Sequence, residues 1–438
     1  MTEIKNVAVL GCGTMGLGIA AVCANAGCKV LLLDMTKEAC DNALPKLLTG
    51  RSPVIEDASV LHNISTGSFE EDMHLLSESQ WICEAVIENV TIKREVFLNA
   101  DKHRSDGSII STNTSGIPLR DIYTDMPERL QQDIAVTHFF NPVHIMRLVE
   151  IVPGDNTRPE VITILADFLG KTLGKGVVYA KDTVNFIGNR IGCMWINAGV
   201  HMAEAAVMDG ELTIEEVDAL LGEPIGLPPT GLYALTDLIG IDVMYNVNKN
   251  MDENLPADDL SRQFVALPPS IQAMCDRGQL GRKTGGGFYR LNRHEDGSKS
   301  MEIYDIAADK WRPELPAELS EQESSFKTLF HLDNPKGQFV RKLMSVALYY
   351  AADLVPEIAD DIVNVDRAMR WGFAWSKGPF ELIDELGANI LLDHIIKEGQ
   401  PVPAMLKVLS QAGASAFYRN HGSEYLGADG TWHLVPEE

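Results

Sequence analysis

A histidine and a glutamate twelve residues apart are the first pair able to do chemistry. His138 lies near the end of the apolar run Ile134–Phe140, and Glu150 sits inside Leu148-Val149-Glu150-Ile151-Val152. An acid within an apolar strand is costly unless it has a partner. Neighbouring strands would bring the two side chains together. A neutral imidazole accepts an alcohol's proton near pH 7. A carboxylate on its far nitrogen fixes the tautomer and stabilises the imidazolium that forms. Two other readings stay open on the residues alone: His138 as a structural strand-end histidine, and Glu150 as the ion-pair partner of a base such as Arg147.

The second feature is Val7-Ala8-Val9-Leu10-Gly11-Cys12-Gly13-Thr14-Met15-Gly16, a strand followed by G-x-G-x-x-G and a helix. Gly11 allows the tight turn, Gly13 lets a pyrophosphate approach the backbone, and Gly16 lets the helix pack on the sheet. The helix start, through Thr14 and Met15, supplies free N–H donors and a partial positive charge. Asp34 ends a second strand 18 residues after Gly16. A carboxylate there accepts hydrogen bonds from ribose hydroxyls and repels a 2′-phosphate, which favours NAD over NADP. Asn113-Thr114-Ser115-Gly116 follows another strand, where such sheets bind ligands. Ser115 could hold a substrate oxygen or merely cap the next helix.

Composition narrows the classes. The 438 residues carry 37 Lys+Arg against 62 Asp+Glu, a formal net charge of -25, with 45% hydrophobic and 23% charged residues. A chain of this length suggests two or three soluble domains. The acidic balance repels phosphate backbones, so no nucleic-acid partner is expected. No apolar stretch reaches membrane-span length and no cleavable leader is read at the N-terminus. The seven cysteines contain no Cys-x-x-Cys, which points to free thiols in a reducing cytoplasm. His-Glu-x-x-His is absent and His138 with His144 lacks zinc-site spacing, so no metal is expected.

The elements that must position these residues are strands at Asn6–Leu10, Lys29–Leu33, Trp81–Ile87, Ser108–Ser111, Ile134–Phe140, Leu148–Val152 and Val177–Ala180, with helices between. Residues 35–63 read as helix interrupted by Pro45 and Pro53. This alternation predicts a parallel, doubly wound α/β sheet over 1–182. Strand signals then vanish. Asn185–Asp209 is one long helical pattern, opening a helical domain over 183–290 that Gly285-Gly286-Gly287-Phe288-Tyr289 closes. Residues 291–334 read as a linker, and 335–438 as a second helical domain. Val217-Asp218-Ala219 and Thr236-Asp237-Leu238-Ile239-Gly240 recur as Val365-Asp366-Arg367 and Ile383-Asp384-Glu385-Leu386-Gly387. The spacing reads as a duplication.

Together these segments resemble the L-3-hydroxyacyl-CoA dehydrogenase family. The matching runs are Gly11–Gly16, Glu84-Ala85-Val86-Ile87-Glu88-Asn89, Asn113-Thr114-Ser115, His138–Pro142 and Leu148-Val149-Glu150. They continue with Lys181-Asp182-Thr183, Asn189-Arg190, Gly286-Gly287-Phe288-Tyr289 and Gly378-Pro379-Phe380-Glu381-Leu382. The resemblance looks closest to the dehydrogenase portion of fusion proteins that continue into an enoyl-CoA hydratase, a module for which 438 residues leave no room.

The resemblance implies a Rossmann-like NAD domain followed by two tandem helical domains, acting on an acyl-CoA with NAD in β-oxidation-type chemistry. His138 would be the general base and Glu150 its orienting partner. Ser115 and Asn189 would hydrogen-bond the C3 oxygen, the first helical domain closing the cleft. Glu88, Lys93 and Asn113 would lie along the cofactor, and Lys46 or Arg51 near coenzyme A phosphates. Pro229-Thr230-Gly231-Leu232 departs from the family's Gly-Pro-Phe, and Val184 stands where a proline is usual. Phe339-Val340-Arg341 replaces Gly188-Asn189-Arg190, which reads the second copy as structural. A pseudo-dimeric monomer or a homodimer is expected, with a separate enoyl-CoA hydratase as candidate partner. The alternatives are a dehydrogenase of a free 3-hydroxy acid and a noncatalytic NAD-binding protein.

Overall fold

The apolar run Asn6–Leu10 forms β1, an interior strand of an eight-stranded sheet. The structure, a computed structural model, describes residues 3–49, 53–294 and 296–437. Its packing divides into two compact units. One runs to Ile187 and includes Glu357–Asp360; the other comprises Gly188–Pro356 and Asp361–Glu437. Arg51 lies outside the described residues.

In the first unit the other strands are β2 (Lys29–Asp34), β3 (Ile64–Ser68), β4 (Trp81–Glu84), β5 (Ile109–Thr112), β6 (Ile134–Phe139), β7 (Leu148–Pro153) and β8 (Gly176–Tyr179). Their order is β3-β2-β1-β4-β5-β6-β7-β8. Strands β1, β4, β5 and β6 are buried along almost their whole length, as a sheet covered on both faces requires. The order reverses between β1 and β4, which opens the crevice where such sheets take ligands.

Two features differ from the expected parallel sheet. The pair β6–β7 is antiparallel, so β7 and β8 run against the other six. Only residues 140–147 join β6 to β7, too few for the helical crossover that a parallel pair needs. Strand β3 went unread, directly after the segment 35–63 that reads as broken helix. Its sequence Ile-Ser-Thr-Gly-Ser is polar and carries a glycine, so its period is hidden. A Cβ at Gly67 would stand 2.5 Å from Asp72 Oδ2, which explains the glycine.

The second unit contains the same succession of elements twice. The long helices Gly188–Met208 and Pro335–Asp353 each open a copy. Ile214–Leu220, Tyr233–Ile239, Ile241–Asn254 and Pro269–Asp276 follow the first. Ile362–Gly372, Pro379–Leu386, Ala388–Lys397 and Ala404–Gln411 follow the second. Each copy then ends in a small antiparallel sheet: β9 (Tyr289–Arg293), β10 (Lys299–Asp305) and β11 (Lys310–Pro313), against β12 (Tyr418–Arg419), β13 (Glu424–Leu426) and β14 (Trp432–Leu434). The copies are therefore not all-helical. The stretch 291–334 is no plain linker either, since most of β9, with β10 and β11, and the helix Phe326–His331 occupy it. Charged and polar residues dominate these short strands, which masked them.

Side-chain locks repeat as well. Tyr289 donates its hydroxyl to Asp218 at 2.7 Å, and Tyr418 does the same to Asp366 at 2.7 Å. Asp237 accepts the N–H groups of Phe288 and Tyr289, each at 2.8 Å. Asp384 accepts those of Phe417 and Tyr418, at 2.7 and 2.8 Å. Gly240 (φ 99°) and Gly387 (φ 101°) make the same left-handed break between successive helices. The departure at Pro229–Leu232 keeps its essential glycine. A Cβ on Gly231 would lie 2.4 Å from Asp218 Cα, and one on Gly378 would lie 2.3 Å from Asp366 Cα.

Candidate active site

The turn after β1 has the geometry that its three glycines foretold. Gly11 adopts φ 110°, and a Cβ there would strike the Ala85 carbonyl at 2.6 Å. A Cβ on Gly16 would come within 1.9 Å of Gly11 O, so the helix Thr14–Asn25 could not pack. Gly13 is different: a Cβ there meets nothing within 4 Å. Its glycine is unexplained by the protein's own packing, and a closely approaching ligand accounts for it. No side chain caps the helix Thr14–Asn25, which leaves its first N–H groups to an anion.

Asp34 accepts the N–H of Cys12 at 2.6 Å and of Met35 at 2.7 Å. Burial pushes its carboxyl up, but hydrogen bonds from Cys12 and Met35 prevail and hold it below the usual range, hence ionised. A cavity of about 500 Å³ opens beside it, lined by Gly11, Gly13, Asp34, Phe69, Met73 and Val96 among others. Gly11, Gly13 and Asp34 thus lie along one apolar slot that suits a purine and its ribose. The sequence reading missed Phe69 and Met73, which follow the unread strand β3. The residues present fit NAD.

Past the end of β4 lies a buried ionic network. Lys93 is 1% exposed and reaches Glu84 at 2.9 Å and Glu88 at 3.2 Å. Thr112 donates to Glu84 at 2.6 Å, and the Val86 N–H does so at 2.7 Å. Lys93 is thereby enclosed by carboxylates. It holds Glu84 and Glu88 in place. Glu88 in turn binds the turn after β5, accepting from Thr114 Oγ1 at 2.6 Å and from the N–H groups of Ser115 at 3.0 Å and Gly116 at 3.3 Å. Burial raises its acid, but Lys93 and these donors prevail and hold it below the ordinary range. The signal for Glu84 was present: like Glu150, it is an acid in an apolar strand.

Antiparallel register sets His138 of β6 directly opposite Glu150 of β7. Cross-strand partners project from the same face. His138 Nδ1 lies 2.6 Å from Glu150 Oε2, while Glu150 Oε1 accepts the N–H of Ile187 at 3.0 Å. The pair is buried, His138 at 4% exposure and Glu150 at 0%, with Phe140 and Phe186 against the ring. With Nδ1–H given to the carboxylate, Nε2 keeps its lone pair. Asn113 ties the end of β5 to β6 by accepting the Phe139 N–H at 2.9 Å. Ser115 is half-buried on the adjoining turn. Lys46 is exposed, on the 3-10 turn Leu44–Leu48. Asn189 belongs to the second unit, at the start of the helix Gly188–Met208.

This fold and glycine turn define the doubly wound, dinucleotide-binding class. The family model for the 3-hydroxyacyl-CoA dehydrogenase NAD binding domain matches residues 6–183, and that for the C-terminal domain of the same family matches 186–291. A probable 3-hydroxyacyl-CoA dehydrogenase of Deinococcus radiodurans is 35% identical over 67% of this chain and 84% of its own length. A probable 3-hydroxyacyl-CoA dehydrogenase of Bacillus subtilis is 32% identical over 99% of this chain, which spans 58% of that relative. The crystal structure of 3-hydroxybutyryl-CoA dehydrogenase from Escherichia coli shares the fold, with TM-score 0.71 and 24% identity, over 93% of this chain and 98% of that one. The chain belongs to the 3-hydroxyacyl-CoA dehydrogenase family.

Proposed function

We propose that the chain oxidises the C3 hydroxyl of an L-3-hydroxyacyl-CoA to a 3-ketoacyl-CoA with NAD. The observation that carries this reading is the 2.6 Å contact between His138 and Glu150 on a hairpin whose strands continue the dinucleotide-binding sheet. His138 Nε2 takes the hydroxyl proton. Glu150 keeps the proton on Nδ1 and stabilises the imidazolium. Ser115 holds the C3 oxygen, and Asn113 fixes the neighbouring backbone. Gly13 and Asp34 hold the dinucleotide, and bound NAD supplies the hydride acceptor. Burial of His138 and Glu150 excludes bulk water from the proton transfer.

A 3-hydroxyacyl thioester arises by hydration of an enoyl thioester, so a separate enoyl-CoA hydratase is the partner activity. The second helical copy takes the place of a partner subunit, which makes the chain a pseudo-dimeric monomer. Its seven free cysteines suit a reducing cytoplasm.

The test is NADH absorbance against short, medium and long 3-hydroxyacyl-CoA esters and their free acids. Turnover of the thioesters alone is expected. Turnover of the free acids alone would replace the substrate class, and NAD binding without turnover of any substrate would leave a noncatalytic nucleotide holder.

A further inference from the structure

The stretch of chain that leaves β8 and ends the first unit at Ile187 holds two unusual backbone conformations side by side. Asn185 adopts φ 62° and Phe186 φ 49°. The left-handed region suits glycine and, after it, asparagine; for a bulky aromatic residue it is costly. Both residues are buried. The Asn185 amide nitrogen has no hydrogen-bond partner among the described residues, and the left-handed φ accounts for the residue type.

Such a conformation persists only where its surroundings hold it. Here they hold it from both ends. Lys181 donates its N–H to the Ile358 carbonyl at 2.9 Å, in the stretch Glu357–Asp360 that packs with this unit. Asp182 accepts the N–H groups of Leu119 at 2.5 Å and of Arg120 at 2.8 Å. At the far end Glu150 Oε1 accepts the Ile187 N–H at 3.0 Å. Consecutive residues of this turn thus meet the two members of the His138–Glu150 pair. Ile187 bonds Glu150, and Phe186 sets its ring against His138, with centroids 5.8 Å apart and planes at 55°. Phe140 flanks the imidazole too, but it sits two residues on in the same chain segment. Phe186 arrives from elsewhere in the sequence and is an independent brace. A brace matters because Glu150 holds the imidazole at Nδ1 alone, which leaves the ring free to swing about that contact. A side chain that only fills core needs no left-handed backbone to do so.

We propose that Phe186 is a positioning residue for the reaction: the left-handed turn Asn185–Phe186 holds its ring on the imidazole, so that Nε2 stays aimed at the substrate hydroxyl. The inference rests on the reading of His138 as the general base.

Steady-state kinetics and NMR of the full chain test this. Phe186→Leu keeps an apolar side chain and removes the ring. Its kcat should fall roughly 10- to 10²-fold while the KM for NAD is unchanged, the effect of a displaced catalytic group. The His138 Nδ1–H resonance should exchange with water faster than in wild type, because the unbraced imidazole leaves Glu150 more often. Asn185→Gly and Asn185→Val keep the proposal testable should Phe186→Leu fail to fold. Glycine accepts the left-handed φ, and β-branched valine does not. The turn therefore predicts a kcat about tenfold higher with glycine than with valine. Packing alone predicts the reverse order, since valine fills the buried space and glycine empties it. Unchanged kcat and Nδ1–H exchange in Phe186→Leu, or a valine variant that equals or outpaces the glycine one, would overturn the proposal. His138→Ala, assayed beside them, separates the two readings. If it keeps turnover, the assignment of the base falls and this inference with it; if it loses turnover while Phe186→Leu does not, only this inference falls.

Discussion

At the scale of single residues the account rests on buried charged groups and the donors they hold. Glu150 accepts from the Ile187 N–H and lies against His138 Nδ1. Glu150→Gln keeps its shape but can present an N–H to Nδ1, so it disturbs the tautomer rather than the packing. We expect a fall in kcat of roughly 10²-fold or more with NAD affinity unchanged, read from steady-state kinetics and a separate NAD titration. Equal losses in both would show that the pair is structural. Glu88 makes a different prediction. Its folded pKa lies below its ordinary value, so its contribution to stability is present above the ordinary carboxylate range and is lost as pH falls through the folded value. Glu88→Gln should therefore flatten the acid side of a melting-temperature profile. An unchanged acid limb would contradict the ionised network. Lys93 shows what residue types alone leave undetermined. The family resemblance implied a place along the cofactor, and burial between Glu84 and Glu88 adds an ionic role that depends on three-dimensional packing.

At the scale of elements, the glycine turn separates packing from binding. Gly16→Ala forces a Cβ against Gly11 O at 1.9 Å and should destabilise the fold by several kcal/mol, in the range of severe core overpacking. Gly13→Ala meets no protein atom and should leave the melting temperature near wild type while weakening NAD about tenfold or more. Thermal melting with an NAD titration on both variants distinguishes the two roles; an unimpaired Gly13→Ala would place the dinucleotide elsewhere. The turn was readable because Gly11 and Gly16 answer to local backbone geometry and Gly13 to the approach of a ligand. The His138–Glu150 register was readable only in part. The sequence shows an acid and a base in adjacent apolar runs, but the antiparallel pairing depends on a connection too short for a crossover. Strand β3 and the six strands of the second unit carried no clear alternation, because half-exposed two- to seven-residue strands hold too few apolar positions to set a period.

At the scale of the whole molecule, the sparse Asp-to-Asp echo in the sequence proved to mark two matching sets of locks. Each aspartate must be preserved for its donors, while the surface around it varies freely, so only these few positions remain recognisable. Burial pushes Asp218 up to about 7 against the pull of Tyr289 and three backbone N–H groups. A folded pKa above the ordinary 3.8 means that this group favours folding most at low pH, and that this contribution is lost as pH rises from about 4 to 7. Hydrogen exchange at the Leu232–Ala234 amides, corrected for intrinsic rate, should show protection declining over that window. Rising protection would reverse the sign and contradict the buried acid. The duplication also bears on assembly: sedimentation is expected to give one chain per particle, and an obligate dimer would mean that the second copy does not stand in for a partner.

The central claim is that the imidazole on β6 removes the substrate's proton while NAD accepts its hydrogen. Single-turnover formation of NADH from a 3-hydroxyacyl-CoA, measured on wild type and His138→Ala with NAD affinity determined in parallel, tests it most directly. The account predicts about 10²–10⁴-fold slower NADH formation in the variant with NAD affinity intact. A variant that forms NADH at close to the wild-type rate would contradict it.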